Sequence, residues 1–315
     1  MTPMGKLAYV FPGQGSQQVG MGKDLYDKYE EVRTLFQKAD ERLGYSLSKL
    51  CFEGPEEELK LTYHTQPAIL TVSMALYELF KKEAPRPDYV AGHSLGEYSA
   101  LVAAEVLTFE DAVETVHQRG RFMDEAVPAG QGTMAAVIGG NRASLEKICE
   151  TVTLEGELVQ LANMNSPDQV VISGTKGGVE KASQLIKEEK AARRVIPLGV
   201  SGPFHSDLMK PAASRLAQVL DKLDLKDAKI PVVNNVEARP TIPSAEIKEA
   251  LIEQVFSPVL WEDSVQWMID AGVDTFVEIG PGQVLSGLIK KINRNVTIYS
   301  VYDENSLYQV LEGLK

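Results

Sequence analysis

Short apolar runs alternate along the chain with longer stretches of helical periodicity. Residues 7–11 are a continuous apolar run stopped by Pro12 and Gly13, which predicts a buried strand. Residues 30–43 and 68–80 repeat their apolar positions at helical spacing, which predicts two helices. Residues 89–91 form another short apolar run, closed by Gly92. Beyond it, 94–104 predicts a helix with Leu95, Tyr98, Leu101 and Val102 recurring at spacings of three and four, and 109–123 predicts a further one. Strand then helix, repeated, implies an α/β layered fold with a parallel sheet.

The middle of the chain changes character. Strands are predicted over 133–138, 158–163, 169–173 and 193–198, with helices over 142–152 and 179–189. The two central strands are separated by the turn Asn165-Ser166-Pro167-Asp168. This β-α-β-β-α-β order is that of a ferredoxin-like unit. Turn-rich stretches at 128–132 and 199–203 bound it. Residues 131–199 therefore read as a small domain inserted into a discontinuous larger one, 1–130 and 200–315. After it come helices at 209–220, 247–255 and 261–271, strands at 231–234, 275–279 and 296–301, and a terminal helix at 307–311.

Composition narrows the class. The chain has 315 residues, 44% hydrophobic and 24% charged, which is ordinary globular usage and excludes disordered and fibrous proteins. No apolar run approaches the roughly 18 residues of a membrane span. The N-terminal apolar run is too short for a signal-peptide core, so a cytoplasmic protein is expected, with no membrane association. The net charge of −12 argues against nucleic acid as a partner. Cys51 and Cys149 sit in no CxxC pair, and the four histidines show no HExxH or HxH spacing, so neither a disulfide nor a metal site is expected.

Gly92-His93-Ser94-Leu95-Gly96 is a GxSxG pentapeptide between a predicted strand and a predicted helix, the setting of a nucleophile elbow. Its glycines allow a sharp turn, and its serine stands at a helix N-terminus, where free N–H groups stabilise negative charge. The serine needs a base. His205, in the turn-rich Ser201-Gly202-Pro203-Phe204-His205-Ser206, leads. His117 falls inside a helix, His64 has no turn context, and His93 adjoins the nucleophile on a turn where neighbouring side chains diverge. On residues alone His93 stays open. Gln14 reads as a polar residue in a glycine-rich turn, and Arg119 as a solvated helix arginine.

Six motifs then carry a resemblance. Phe11-Pro12-Gly13-Gln14-Gly15-Ser16-Gln17, Gly92-His93-Ser94-Leu95-Gly96-Glu97-Tyr98, Gln118-Arg119-Gly120, the segment 163–174 (NMNSPDQVVISG), Pro203-Phe204-His205-Ser206 and Glu278-Ile279-Gly280-Pro281-Gly282 stand in this order. Together they resemble the malonyl-CoA:acyl carrier protein transacylase family over residues 7 to about 301, in the stand-alone form that serves bacterial fatty-acid synthesis. The resemblance implies a hydrolase-like parallel-sheet core with a ferredoxin-like insert.

The resemblance also implies roles. Ser94 is acylated and His205 moves the proton, with a carbonyl of Gln254 orienting the imidazole. Gln14 and the Leu95 N–H form the oxyanion hole. Arg119 pairs with the malonyl carboxylate and is expected to stand unpaired, or to hold water, until that carboxylate arrives. Gln66, Asn163, Phe204 and Met123 line the pocket, and the Phe204 ring crowds a methyl branch. Malonyl-CoA is the substrate, coenzyme A the leaving group and acyl carrier protein the acceptor, and no bound cofactor is implied. Because carrier proteins are acidic, like this chain, docking needs a local basic patch. Lys290, Lys291 and Arg294 form one candidate; Lys187, Lys190, Arg193 and Arg194 form the other. A serine esterase or thioesterase using the same elbow is the rival from another class, and a catalytically silent scaffold is a third reading.

Overall fold

The computed structural model describes residues 5–315; residues 1–4, where the reading for a leader and the larger domain begin, lie outside the described residues. Among the described residues, ten strands form two sheets. β1 (Lys6–Phe11) and β2 (Tyr89–Gly92) begin the first sheet. β3 (Gly132–Ile138), β4 (Val159–Ser166), β5 (Gln169–Thr175) and β6 (Arg194–Pro197) make up the second. β7 (Val232–Val233), β8 (Pro240–Thr241), β9 (Val273–Ile279) and β10 (Thr297–Val301) return to the first.

The larger sheet has the order β10-β9-β1-β2-β7-β8. All its pairs are parallel except β7 with β8. β1 is central, which explains its continuous apolar run. Leu7, Tyr9 and Phe11 enter the core on one face, while Ala8 and Val10 enter the core on the other. A parallel strand covered on both faces has no position left for a polar side chain. Helices Thr62–Phe80 and Phe109–Glu125 supply the first layer, and Trp261–Asp270 with Val284–Ile292 the second.

The smaller sheet has the order β4-β5-β3-β6 with every pair antiparallel. Read by position in the β-α-β-β-α-β unit, that is the ferredoxin-like order. Ala135 and Val137 pack under helices Arg142–Leu154 and Lys176–Glu188, whereas Met134 and Ala136 join the core of the larger unit. One face of the insert therefore covers the large sheet's functional end.

Several boundaries differ from the sequence expectation. The helix predicted from 68 begins at Thr62 and contains Pro67. Proline cannot serve the carbonyl four residues back. That carbonyl, on Tyr63, instead lies 2.8 Å from His117 Nδ1. The helix predicted from 94 begins at Gly96, because Ser94 adopts the left-handed conformation. β4 continues to Ser166, so the turn shrinks to Pro167-Asp168. Helices Lys23–Lys28, Leu47–Glu53 and Glu56–Leu59 are too short to show a helical period, and Val284–Ile292 and β8 were likewise not foreseen. Among the described residues no helix is long and apolar enough to cross a membrane.

Candidate active site

The site is built where β2 ends. Ser94 has φ 52°, in the left-handed region, at a cost of about 1–3 kcal/mol for a non-glycine residue. The turn is tight enough to need its flanking glycines. A Cβ on Gly92 would lie 1.9 Å from the Gly96 carbonyl carbon, and one on Gly96 would lie 2.1 Å from Phe11 O. The turn thus presses the N-terminus of helix Gly96–Ala103 against the end of β1 and lifts the serine side chain clear.

Ser94 Oγ lies 2.8 Å from His205 Nε2, and His205 Nδ1 lies 2.8 Å from the main-chain carbonyl of Gln254. A carbonyl only accepts, so Nδ1 carries the proton and Nε2 is the free base. Arg119 Nη2 donates to Ser94 Oγ at 3.2 Å. The serine oxygen accepts there and so points its own hydrogen at Nε2. His205 is 4% exposed, and burial, reinforced by the Arg119 charge, lowers its pKa to about 3. The imidazole is therefore neutral and able to take a proton at physiological pH. His93 is held away from this pair: its Nε2 lies 2.7 Å from Asn165 Oδ1 and its ring against Trp261.

Arg119 is not a solvated helix arginine, being 1% exposed. Nor does it stand unpaired as expected. Nη1 donates to Gln66 Oε1 at 2.7 Å and Nη2 to Gln254 Oε1 at 3.0 Å, while the guanidinium carbon sits 5.5 Å from the centre of the Tyr98 ring. These acceptors are neutral, and burial lowers the arginine's pKa. Its Nε has no partner among the described residues. A buried guanidinium whose hydrogen-bond partners are two amides and a hydroxyl, none of them charged, keeps the capacity to pair with an anion. Gln66 is buried and stands behind Arg119 rather than lining the cavity, its Oε1 taken by Arg119 and its Nε2 directed at Met123 Sδ.

A cavity of about 320 Å³ opens over Ser94 and His205, with Gln14, Leu95, Arg119, Met123, Asn163 and Phe204 in its wall. Among the described residues the main-chain N–H groups of Gln14 and Leu95 serve no protein acceptor, and the Gln14 amide reaches only Thr62 Oγ1, at 3.5 Å. Asn163, on β4, presents a buried Oδ1 without a partner among the described residues. The two units therefore share the cavity, the elbow coming from the large one and Met134 and Asn163 from the insert.

Beneath the serine lies a buried polar network that the motif reading misses. Asn235 and Glu97 are 0% and 2% exposed. Asn235 Oδ1 accepts the Ser94 N–H at 2.8 Å and its Nδ2 donates to Gly92 O at 2.7 Å. Gln254 Nε2 donates to Ser94 O at 3.0 Å and to Asn235 Oδ1 at 2.9 Å. Glu97 accepts from the Asn235 N–H at 2.8 Å, and burial raises its pKa to about 7. The available signal is weak: Asn234-Asn235 directly follow a strand, at the carboxyl end of a parallel sheet where ligands gather.

Of the two basic patches, Lys290 and Lys291 occupy the last turn of helix Val284–Ile292, with Arg294 just beyond. All three are exposed, and none is ion-paired among the described residues. Glu278, buried at the end of β9, accepts from Leu285 N at 3.2 Å and Ser286 N at 2.8 Å and so caps this helix. In the other patch Arg193 is engaged with Asp168 at 2.6 Å.

Residues 8–304 match the family described as the acyl transferase domain. The chain is 56% identical over 312 residues to the malonyl CoA-acyl carrier protein transacylase of Bacillus subtilis (strain 168), covering 99% of this chain and 98% of the relative. To the enzyme of the same name from Escherichia coli (strain K12) it is 47% identical over 310 residues, covering 98% and 100%. Among solved structures it superposes on the malonyl CoA-acyl carrier protein transacylase of Coxiella burnetii with TM-score 0.95, at 42% identity and 98% coverage of both chains. It superposes equally, at TM-score 0.95 and 44% identity over 98% of this chain and 99% of the other, on a malonyl-transacylase in complex with its type II PKS acyl-carrier protein.

Proposed function

Because the chain belongs to the acyl transferase domain family, we propose that the site described above performs malonyl transfer through one serine ester. The chain is an acyltransferase that moves a malonyl group from malonyl-CoA to the phosphopantetheine thiol of acyl carrier protein, supplying fatty-acid elongation. In the first half-reaction Ser94 Oγ attacks the thioester carbonyl while His205 Nε2 takes its proton. The tetrahedral oxyanion sits against the main-chain N–H groups of Leu95 and Gln14. Collapse breaks the C–S bond, and the proton on His205 goes to the departing coenzyme A thiolate. In the second half-reaction the carrier-protein thiol gives its proton to His205 and attacks the ester. The proton then returns to Ser94 Oγ as the C–O bond breaks.

The Gln254 carbonyl stabilises the imidazolium formed in each half-reaction, the task a carboxylate performs in a three-membered relay. Arg119 receives the malonyl carboxylate through a rearranged Nη contact, with Gln66 fixing its position from behind. Met123, Phe204 and Asn163 shape the rest of the acyl pocket. Lys290, Lys291 and Arg294 receive the acidic carrier protein. The thioester is itself the activated acyl donor, so the reaction needs no bound cofactor. We assign residues 131–199 as a small domain inserted between 1–130 and 200–315. A cytoplasmic location fits the two free buried thiols, Cys51 and Cys149.

The observation that carries this reading is the meeting at Ser94 Oγ of a neutral histidine at 2.8 Å and a buried arginine at 3.2 Å. Intact-protein mass spectrometry after mixing with malonyl-CoA tests it. Wild type should gain one malonyl group and Ser94→Ala none. Release of free malonate faster than transfer to carrier protein would make the protein a thioesterase instead.

A further inference from the structure

We propose that Asn235 is a positioning residue for acyl transfer, its carboxamide holding the Ser94 elbow in the left-handed conformation and coupling it to Gln254. The inference rests on Ser94 being the nucleophile of the proposed reaction.

Asn235 spends every polar atom it has. Its N–H goes to Glu97 Oε1 at 2.8 Å, and its carbonyl accepts from Leu260 N at 2.9 Å. Its Oδ1 takes two hydrogens, from Ser94 N and Gln254 Nε2, and its Nδ2 gives one to Gly92 O. The side chain thus grips the backbone on both sides of His93, bridging the residue before it and the nucleophile after it. Neither amide can be turned over. A reversed Asn235 would set Oδ1 against the Gly92 carbonyl. A reversed Gln254 would set Oε1 against the Ser94 carbonyl and its NH₂ against the Arg119 guanidinium. With both amide orientations fixed in this way, the buried network admits one arrangement, and that rigidity is its use.

The geometric consequence concerns the reacting atoms. Gln254 supplies the carbonyl that orients His205 and the Oε1 that holds Arg119. Through Gln254, one asparagine fixes the nucleophile relative to its base and relative to the guanidinium. The remaining buried partner, Glu97, has no hydrogen bond to a cation among the described residues; it anchors the Asn235 N–H, and its other oxygen lies 3.2 Å from Gln254 Nε2, where it shares one of the two hydrogens directed at Ser94 O and Asn235 Oδ1. Among the described residues, Ser94 is the only cavity-lining residue to which Asn235 is hydrogen-bonded, so it acts through other residues.

The test separates positioning from packing. A fluorophosphonate probe reports the reactivity of Ser94 without any malonyl group or carboxylate recognition. Asn235→Ala should slow its reaction with Ser94 about 100-fold, the scale of an ångström-level misplacement of a reacting group. It should lower kcat for malonyl transfer by a similar factor while leaving the KM for malonyl-CoA within about twofold. Asn235→Asp is isosteric and keeps the acceptor for Ser94 N–H but loses the donor to Gly92 O, so it should fall between the two. Phosphonylation at the wild-type rate in folded Asn235→Ala overturns the proposal. If the alanine variant does not fold, the aspartate variant decides alone, a wild-type rate again being the overturning result. A wild type that phosphonylates but takes no malonyl group would refute the proposed function and leave this comparison valid.

Discussion

Arg119 Nη2 lies 3.2 Å from Ser94 Oγ, so the guanidinium touches the atom proposed to attack the substrate. A diacid bound there must fit its carboxylate and its thioester carbonyl within one short span, which suits the single methylene of malonyl. Succinyl-CoA, one methylene longer, should therefore react with a markedly lower kcat/KM than malonyl-CoA. Equal values for the two thioesters would remove Arg119 as the ruler.

The same contact predicts selectivity. Arg119→Ala should lower kcat/KM for malonyl-CoA by roughly 10–150-fold, the worth of a charge-assisted hydrogen bond of about 1.5–3 kcal/mol. Acetyl transfer should stay near its wild-type level, because Gln66 and Gln254 already solvate the guanidinium and no stranded charge is relieved. Arg119→Lys should restore malonyl transfer only in part, since an ammonium cannot match a carboxylate fork. Parallel loss of both activities would make Arg119 a structural residue.

His205→Ala should slow acylation by roughly 10²–10⁴-fold. The pKa of about 3 in the folded protein predicts that nitrogen-15 NMR finds His205 neutral and Nδ1-protonated at pH 5. A titration midpoint near 6.5 would contradict this. The unfolded chain binds the extra proton first, between the unfolded value near 6.5 and the folded one. The histidine's contribution to stability is thus complete above pH 6.5 and is lost as pH falls toward 3.

Charge reversal tests the helix proposed to dock the carrier protein. Lys290→Glu with Lys291→Glu should raise the KM for acyl carrier protein, most clearly at low ionic strength, and leave self-acylation by malonyl-CoA unchanged. An unaltered carrier-protein KM would shift attention to Lys187, Lys190, Arg193 and Arg194.

Two glycines should respond in opposite directions. Gly96→Ala places a methyl group 2.1 Å from Phe11 O, a backbone atom that cannot yield without moving β1. It should unfold the elbow and abolish fluorophosphonate labelling. Gly287 lies exposed within helix Val284–Ile292 with nothing within 4 Å of its Cβ position. Gly287→Ala should stabilise the protein by about 0.4–1 kcal/mol, read as a higher midpoint in urea.

The sequence was most legible where a local pattern had one physical solution. The run at 7–11 read as a buried strand, and β1 is central, with both faces in the core. The β-α-β-β-α-β rhythm after residue 131 corresponds to a sheet with the ferredoxin-like order. GxSxG between strand and helix located Ser94, because a tight turn there needs glycines at fixed places. Legibility failed where partners lie far apart in sequence. The start of helix Thr62–Phe80 depends on His117 reaching the Tyr63 carbonyl, and no local reading of Pro67 contains that contact.

Arg119 marks the division most clearly. Its spacing within a helix says nothing of its burial, and the resemblance alone tied it to a carboxylate. By itself the sequence determined the layered α/β architecture and the inserted unit, and it pointed to Ser94 as the proposed nucleophile, since hydrophobic period and turn chemistry are local properties of a chain. Only the tertiary structure decided that His93 belongs to Asn165, that Gln66 stands behind Arg119, and that Asn235 grips the elbow. Those contacts join residues 53 to 141 positions apart, and which amide meets which backbone group is fixed only when the sheet order and the helices above it have brought them together.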